Sequence, residues 1–209
     1  MDITVGEQLD FTVFTTGFSL GLSLILAIGA QNAFVLKQGL KRHFVLWVCL
    51  VCAVSDALLI AAGVSGFGAI INTYPQVEFV ARYFGAAFLF FYSYQNLRSV
   101  LKQDHQLDPH GDTTKGLTHT LLICLALTWL NPHVYLDTIV LLGSISTQYA
   151  PNQLSFGLGA ITASFVFFFS LGYGAKLLTP LFHRPQAWKV LEGIVGLIML
   201  FIAISLVVY

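Results

Sequence analysis

Apolar residues gather along the chain into six long runs, near 11–36, 44–71, 79–97, 117–142, 154–175 and 190–209. A bilayer core of about 30 Å is crossed by roughly 20 helical residues rising about 1.5 Å each, and every run reaches about that length. The pattern predicts an all-α integral membrane protein with six transmembrane helices. Polar groups punctuate it sparsely. In AIGAQNAFVLKQG, residues 27–39, Gln31 and Asn32 stand beside a helix-weakening Gly29, and the fourth run carries Asn131 and Pro132 within CLALTWLNPHVYL. The first and fifth runs hold no charged residue; the second and fourth hold one each, Asp56 and Asp137.

Composition agrees with the pattern. At 209 residues, 56% hydrophobic and 10% charged, with a mean hydropathy of +0.79, the chain is too apolar for a soluble domain of this length. The opening MDITVGEQLD is acidic and has no Lys or Arg before the first run, unlike a signal peptide, so the first helix is expected to be retained. A net charge of zero predicts no long-range attraction to nucleic acid. The distribution of basic residues is more informative. Lys37, Lys41 and Arg42 follow the first run, Arg98, Lys102 and Lys115 the third, and Lys176, Arg184 and Lys189 the fifth; of the ten, Arg82 alone falls at the other end of a run. Because Lys and Arg accumulate on the cytoplasmic side, both termini, including Tyr209, are expected outside.

The polar connection KQDHQLDPHGDTTK, 102–115, is then a cytoplasmic loop within a single transmembrane domain, 1–209, separating a first three-helix repeat, 1–101, from a second, 116–209. An odd number of spans per half gives opposite orientations, the arithmetic of an inverted repeat of three plus three. LILAIGAQNAFVL and CLALTWLNPHVYL support it, each apolar, then broken at a small or Pro residue beside an amide, then resuming with an aromatic. Helices one and four are therefore expected to be interrupted. The other helix pairs align poorly, and Asp56 has no acidic counterpart in the fifth run.

In hydrocarbon every backbone N–H and C=O needs a partner, so a helix break is tolerated where the freed groups face protein, water or a ligand. Paired breaks in matching helices are a pointer to a transporter's binding site. Gln31, Asn32 and Asn131 would offer amide donors and carbonyl acceptors, and helix ends their partial charges, to an amino acid's ammonium and carboxylate. The competing reading is that these amides join helices. A carboxylate within the bilayer costs about 2.5–3.5 kcal/mol on insertion scales, which makes Asp56 and Asp137 functional candidates facing the bundle interior, against the alternative of a protonated or interhelically bonded acid. Burial favours a protonated carboxyl and a neighbouring cation an ionised one, so a proton and a cationic substrate would compete for the same group. His133 would line the site, relay protons or bond between helices.

The strings GAQNAFVLKQG, CAVSDALLIAAG and TWLNPHVYLDTIVLLGS closely resemble the LysE/ArgO-type lysine/arginine exporter family, with the resemblance running over essentially the whole chain. It implies a bacterial inner-membrane (cytoplasmic membrane) protein that exports basic amino acids, with Gln31, Asn32, Asp56, Asn131, Pro132 and Asp137 as functional positions; the residues form no hydrolase or kinase constellation, so no enzyme and no cofactor are expected. Many members carry Pro after the first-helix glycine; here Ala30 stands there, leaving that break to Gly29 alone.

Alternatives remain open at this level. An exporter of a neutral amino acid or a divalent metal would suit the same fold, the metal suggested only by Asp104, His105, Asp108, His110 and Asp112 in a loop whose composition fits a solvated turn. A membrane thiol-redox carrier would use the C-x-x-C of Cys49 and Cys52, although thiols in an apolar helix without basic neighbours, Cys124 included, fit packing better. Gly17 and Gly21 form a small-xxx-small pair suited to close packing within one chain or between the protomers of a homodimer.

Overall fold

The structure, a computed structural model, describes residues 9–26, 29–67, 75–101, 116–183 and 185–208. Every regular element among them is helical. In chain order they are α1 (Phe11–Ile25), α2 (Ala30–Lys41), α3 (Val45–Ala62, continued by a π-helical segment Gly63–Phe67) and α4 (Pro75–Leu101). There follow α5 (Leu117–Trp129), α6 (Pro132–Tyr149, with a π-helical segment Leu136–Leu141), α7 (Gln153–Gly174, continued by a 3-10 segment Ala175–His183) and α8 (Pro185–Val208). Residues 1–8, the 102–115 loop with its histidines and acids, Arg184 and Tyr209 lie outside the described residues.

Among the described residues three helices, within Val45–Gly66, Gln153–Pro180 and Lys189–Val208, are long and apolar enough to cross a membrane. Counting α1 with α2 and α5 with α6 as one interrupted span each brings the number to five. Helix α4 covers the expected third run with 27 residues but is less apolar, its sequence including Glu78, Arg82, Gln95, Asn96 and Arg98. The first run also extends further than expected. Helix α2 continues to Lys41, so Lys37 belongs to a helix and not to the connection after it.

The two interruptions have local causes. Gly29 is extended, at φ −111° and ψ 173°, and has no side chain to cap α2; its carbonyl accepts the first intrahelical bond, from Ala33 N at 3.1 Å. With Ala30 in the place of Pro, the break still forms. At the other site Pro132 lacks an N–H and its ring disfavours helical geometry in Asn131. Helix α5 accordingly ends at Leu130, φ −93° and ψ 3°, and α6 restarts on Pro132, where a missing N–H costs nothing.

Residues group into two units that interleave along the chain. The first takes Met1–Ala27, Ala53–Tyr74 and His133–Phe167, the second Ile28–Cys52, Pro75–Pro132 and Phe168–Tyr209. In the first, Ile60, Leu142, Phe156 and Ala160 form a buried core joined by Val13, Leu20, Leu24, Val64 and Tyr149. Glycines set its helix spacing. Gly17 and Gly21 of α1 lie on Phe156 and Ala160 of α7, so close that a methyl on Gly21 would sit 2.9 Å from Ala160 Cα. The pair is thus used within one chain. Asp10 fixes the start of α1: its carboxylate accepts from Thr12 N and Val13 N, and Asn152 Nδ2 and the Ser155 hydroxyl tie it to α7. In the second unit α4 runs alongside α8, where Ser93 Oγ donates to Gly196 O at 2.8 Å, and α2 packs on α5, α8 and the 3-10 segment.

Helix α3 explains why polar groups inside an apolar run face inward. Leu46, Trp47, Leu50, Val54 and Leu58 form an exposed stripe at spacings of three to four, suited to lipid, while Val48, Cys52, Ser55, Asp56, Leu59 and Ile60 are buried on the other side.

Candidate functional site

The candidate residues divide between the units: Asp56, His133 and Asp137 in the first, Gln31, Asn32, Asn131 and Pro132 in the second.

In the first unit Asp56 is 4% exposed, and its Oδ2 accepts a hydrogen bond from Ser164 Oγ of α7 at 3.0 Å. The fifth run thus supplies Asp56 with a hydroxyl as its hydrogen-bond partner. A serine donates to a carboxylate and accepts from a carboxylic acid, so it suits either protonation state. Asp137 is half-buried in the π-helical segment of α6, with His133 four residues earlier. His133 itself is exposed and Pro132, immediately before it, buried. The π-helical segments of α3 and α6 meet through glycines: a methyl on Gly63 would lie 2.8 Å from Ile139 Cα, and one on Gly143 2.6 Å from Gly63 O. Such wide turns interrupt regular backbone pairing and recur at functional sites. Here one of them carries an acid.

In the second unit Gln31 occupies the first turn of α2, where backbone N–H groups lack intrahelical partners. It is 8% exposed, and its Nε2 is buried without a hydrogen-bond partner. An amide donor in that state is costly in a finished structure and useful in a binding one. Asn32 and Asn131 are partly buried, the second in the non-helical link after α5. The second unit also holds charged chemistry that the apolar runs conceal. Lys37 Nζ lies 2.8 Å from Glu192 Oε1 of α8 and 3.2 Å from Asn96 Oδ1 of α4. Glu192 is 7% exposed and Asn96 4%. Lys37, counted from the sequence among the basic residues of the cytoplasmic side, is paired. The signal was present in the sequence, because Glu192 is the one charged residue of the 190–209 run.

The cysteines do not make a redox motif. Cys49 Sγ donates to Phe168 O at 3.2 Å, whereas Cys52 Sγ sits 3.2 Å from Cys124 Sγ; none of the three is in a disulfide, and all are fully buried. A thiol carrier needs an accessible pair. Among the described residues no group of three or more His, Cys, Asp or Glu side chains is placed to hold a metal ion.

Comparison with known proteins adds to this geometry. The family model described as LysE type translocator matches residues 22–209. The arginine exporter protein ArgO of Klebsiella pneumoniae (strain 342) is 41% identical over 197 residues, covering 94% of this chain and 93% of its own. That of Yersinia enterocolitica is 40% identical over 195 residues, 93% and 95% of the two chains. A Mycobacterium tuberculosis protein named provisionally as an amino-acid transporter is 42% identical over 187 residues, 90% and 92%. No solved structure matches the chain.

Proposed function

The chain belongs to the LysE type translocator family, and from that premise we propose that it exports basic amino acids, L-arginine and/or L-lysine, from the cytoplasm by proton antiport. It is a membrane-spanning translocator and not an enzyme. The arginine exporters similar to it support the cargo, and one observation carries the mechanism: a buried carboxylate, Asp56, whose serine partner accommodates either protonation state. A second acid, Asp137, stands in a half-buried π-turn four residues after His133.

Export of a cation against an inside-negative potential costs about 2.3 kcal/mol per charge per 100 mV. A proton entering for each cation leaving cancels that electrical cost. One carboxylate that holds either a proton or the cargo's cationic group, never both, couples the two flows. Within the second unit Gln31, Asn32 and Asn131, with Pro132 at the second break, offer amide groups to a cargo's amino and carboxylate groups, and the unpartnered Gln31 Nε2 supports that role. The reading includes six spans in a three-plus-three inverted repeat within a bacterial cytoplasmic membrane, both termini outside.

The test is efflux of labelled arginine, lysine and a neutral amino acid from loaded vesicles, with and without an imposed pH gradient. Basic cargo leaving faster when the opposite side is acidified is the expected result. Equal efflux of neutral cargo, or indifference to the gradient, overturns the reading.

A further inference from the structure

We propose that Glu192 and Asn96 form a cation site for alkylammonium and guanidinium groups, with the protein's own Lys37 as its displaceable occupant. The inference rests on the reading of basic amino acids as cargo and adds a second place where the protein meets them.

The site already displays its chemistry. Lys37 ends in a primary ammonium on a four-carbon stem, the same group that ends a lysine cargo. It lies 2.8 Å from a carboxylate oxygen and 3.2 Å from a carboxamide oxygen. One acceptor is oriented and the helix that carries the other is held. Asn96 is oriented by its own Nδ2, which donates to Tyr92 O at 2.8 Å and lies 3.8 Å from Met199 Sδ, so its Oδ1 is left to accept from Lys37. One turn before it, Ser93 Oγ bonds Gly196 O and holds α4 to α8, the helix that carries Glu192. The donor is less constrained. Lysine carries four side-chain torsions, and Lys37, near the end of α2, is 18% exposed in its side chain against 9% for Glu192. Rotation of those torsions frees the acceptors without moving a helix. A guanidinium suits them equally, its planar fork reaching carboxylate and amide oxygens together.

A permanent brace is the competing account, since a buried ion pair that loses one member leaves an uncompensated charge. Both accounts predict that Lys37→Met weakens the protein. Both also allow a free cation to take the place of the deleted ammonium; only a displaceable occupant predicts that its removal lowers KM for basic cargo. The experiment measures thermal unfolding of the purified protein against n-butylammonium concentration, with sodium chloride as the ionic-strength control. In Lys37→Met, n-butylammonium is expected to raise Tm saturably by several degrees, with little effect on wild type, and Glu192→Gln added to Lys37→Met is expected to abolish the response. Should Lys37→Met not accumulate, n-butylammonium during expression and extraction is expected to restore its yield.

No saturable rise and no restored yield overturn the proposal, as does a response that survives Glu192→Gln. In vesicles, removing the tethered competitor is expected to lower KM for basic cargo several-fold; an unchanged KM also counts against it. The unfolding experiment needs no transport. A wild type that exports no basic amino acid while Lys37→Met still responds to n-butylammonium overturns the function and leaves the site; the reverse overturns the site alone.

Discussion

Ser164 of α7 donates its hydroxyl to Asp56 of α3 at 3.0 Å, with both residues buried. The partner matters as much as the acid. An arginine or lysine there would hold Asp56 ionised, whereas a hydroxyl rotates to serve the carboxylate or the acid. Asp56→Asn keeps an acceptor for Ser164 and is expected to change stability by no more than about 1 kcal/mol. It removes the titrating group, so proton-coupled efflux is expected to be lost at normal expression. Ser164→Ala is expected to slow efflux without abolishing it, measured in matched amounts of both proteins.

Asp137 is tested by the pH dependence of efflux. If it is the carboxylate shared by proton and cargo, acidifying the external side speeds exchange in the wild type and does nothing in Asp137→Asn. The sign follows from competition: external protons displace cargo outward, and an amide cannot take them. Efflux rate against external pH gives the answer. Parallel curves for the two proteins would end the assignment.

Gln31 separates function from stability. Its Nε2 is buried and unpartnered, and an unsatisfied buried donor costs about 1–3 kcal/mol. Gln31→Met, close in volume, removes that cost and is expected to hold or raise Tm while greatly reducing efflux. A variant that is less stable but still transports would show that the amide serves packing.

Gly17 tests the crossing of α1 and α7. A methyl there would meet the backbone of Phe156, and overpacking costs about 1–3 kcal/mol or more where backbone must shift. Gly17→Ala is expected to lower Tm by several degrees in detergent with the oligomeric state unchanged, because the glycine faces its own chain. A change of oligomeric state with Tm intact would place it at an interface between copies.

Topology is checked by reporter fusions. With nine of ten basic residues assigned to one side, tags at either terminus are expected to be accessible from outside the cytoplasmic membrane. A cytoplasmic reading at either end would replace the six-span arrangement.

Helix positions and helix breaks were readable along the chain because they depend on neighbours a few residues away. A run of about 20 apolar residues, a glycine without a capping side chain and a proline without an N–H each act locally, and the ends of α1, α2, α5 and α6 fall beside Gly29 and Pro132. Asp56 and Asp137 stood out for the same reason, as single charges in otherwise uncharged runs. What each polar group meets was decided by the tertiary structure. Asp56 is 108 residues from Ser164, Lys37 is 155 from Glu192, and Cys52 pairs with Cys124 and not with Cys49, three residues away. Glycine spacing showed that α1 could pack closely, and only the fold assigned Gly17 and Gly21 to α7. Hydropathy reports the free energy of leaving water, which every apolar residue shares; which buried polar group finds which partner depends on helix rotation and crossing, and these are set by contacts between segments far apart in the chain.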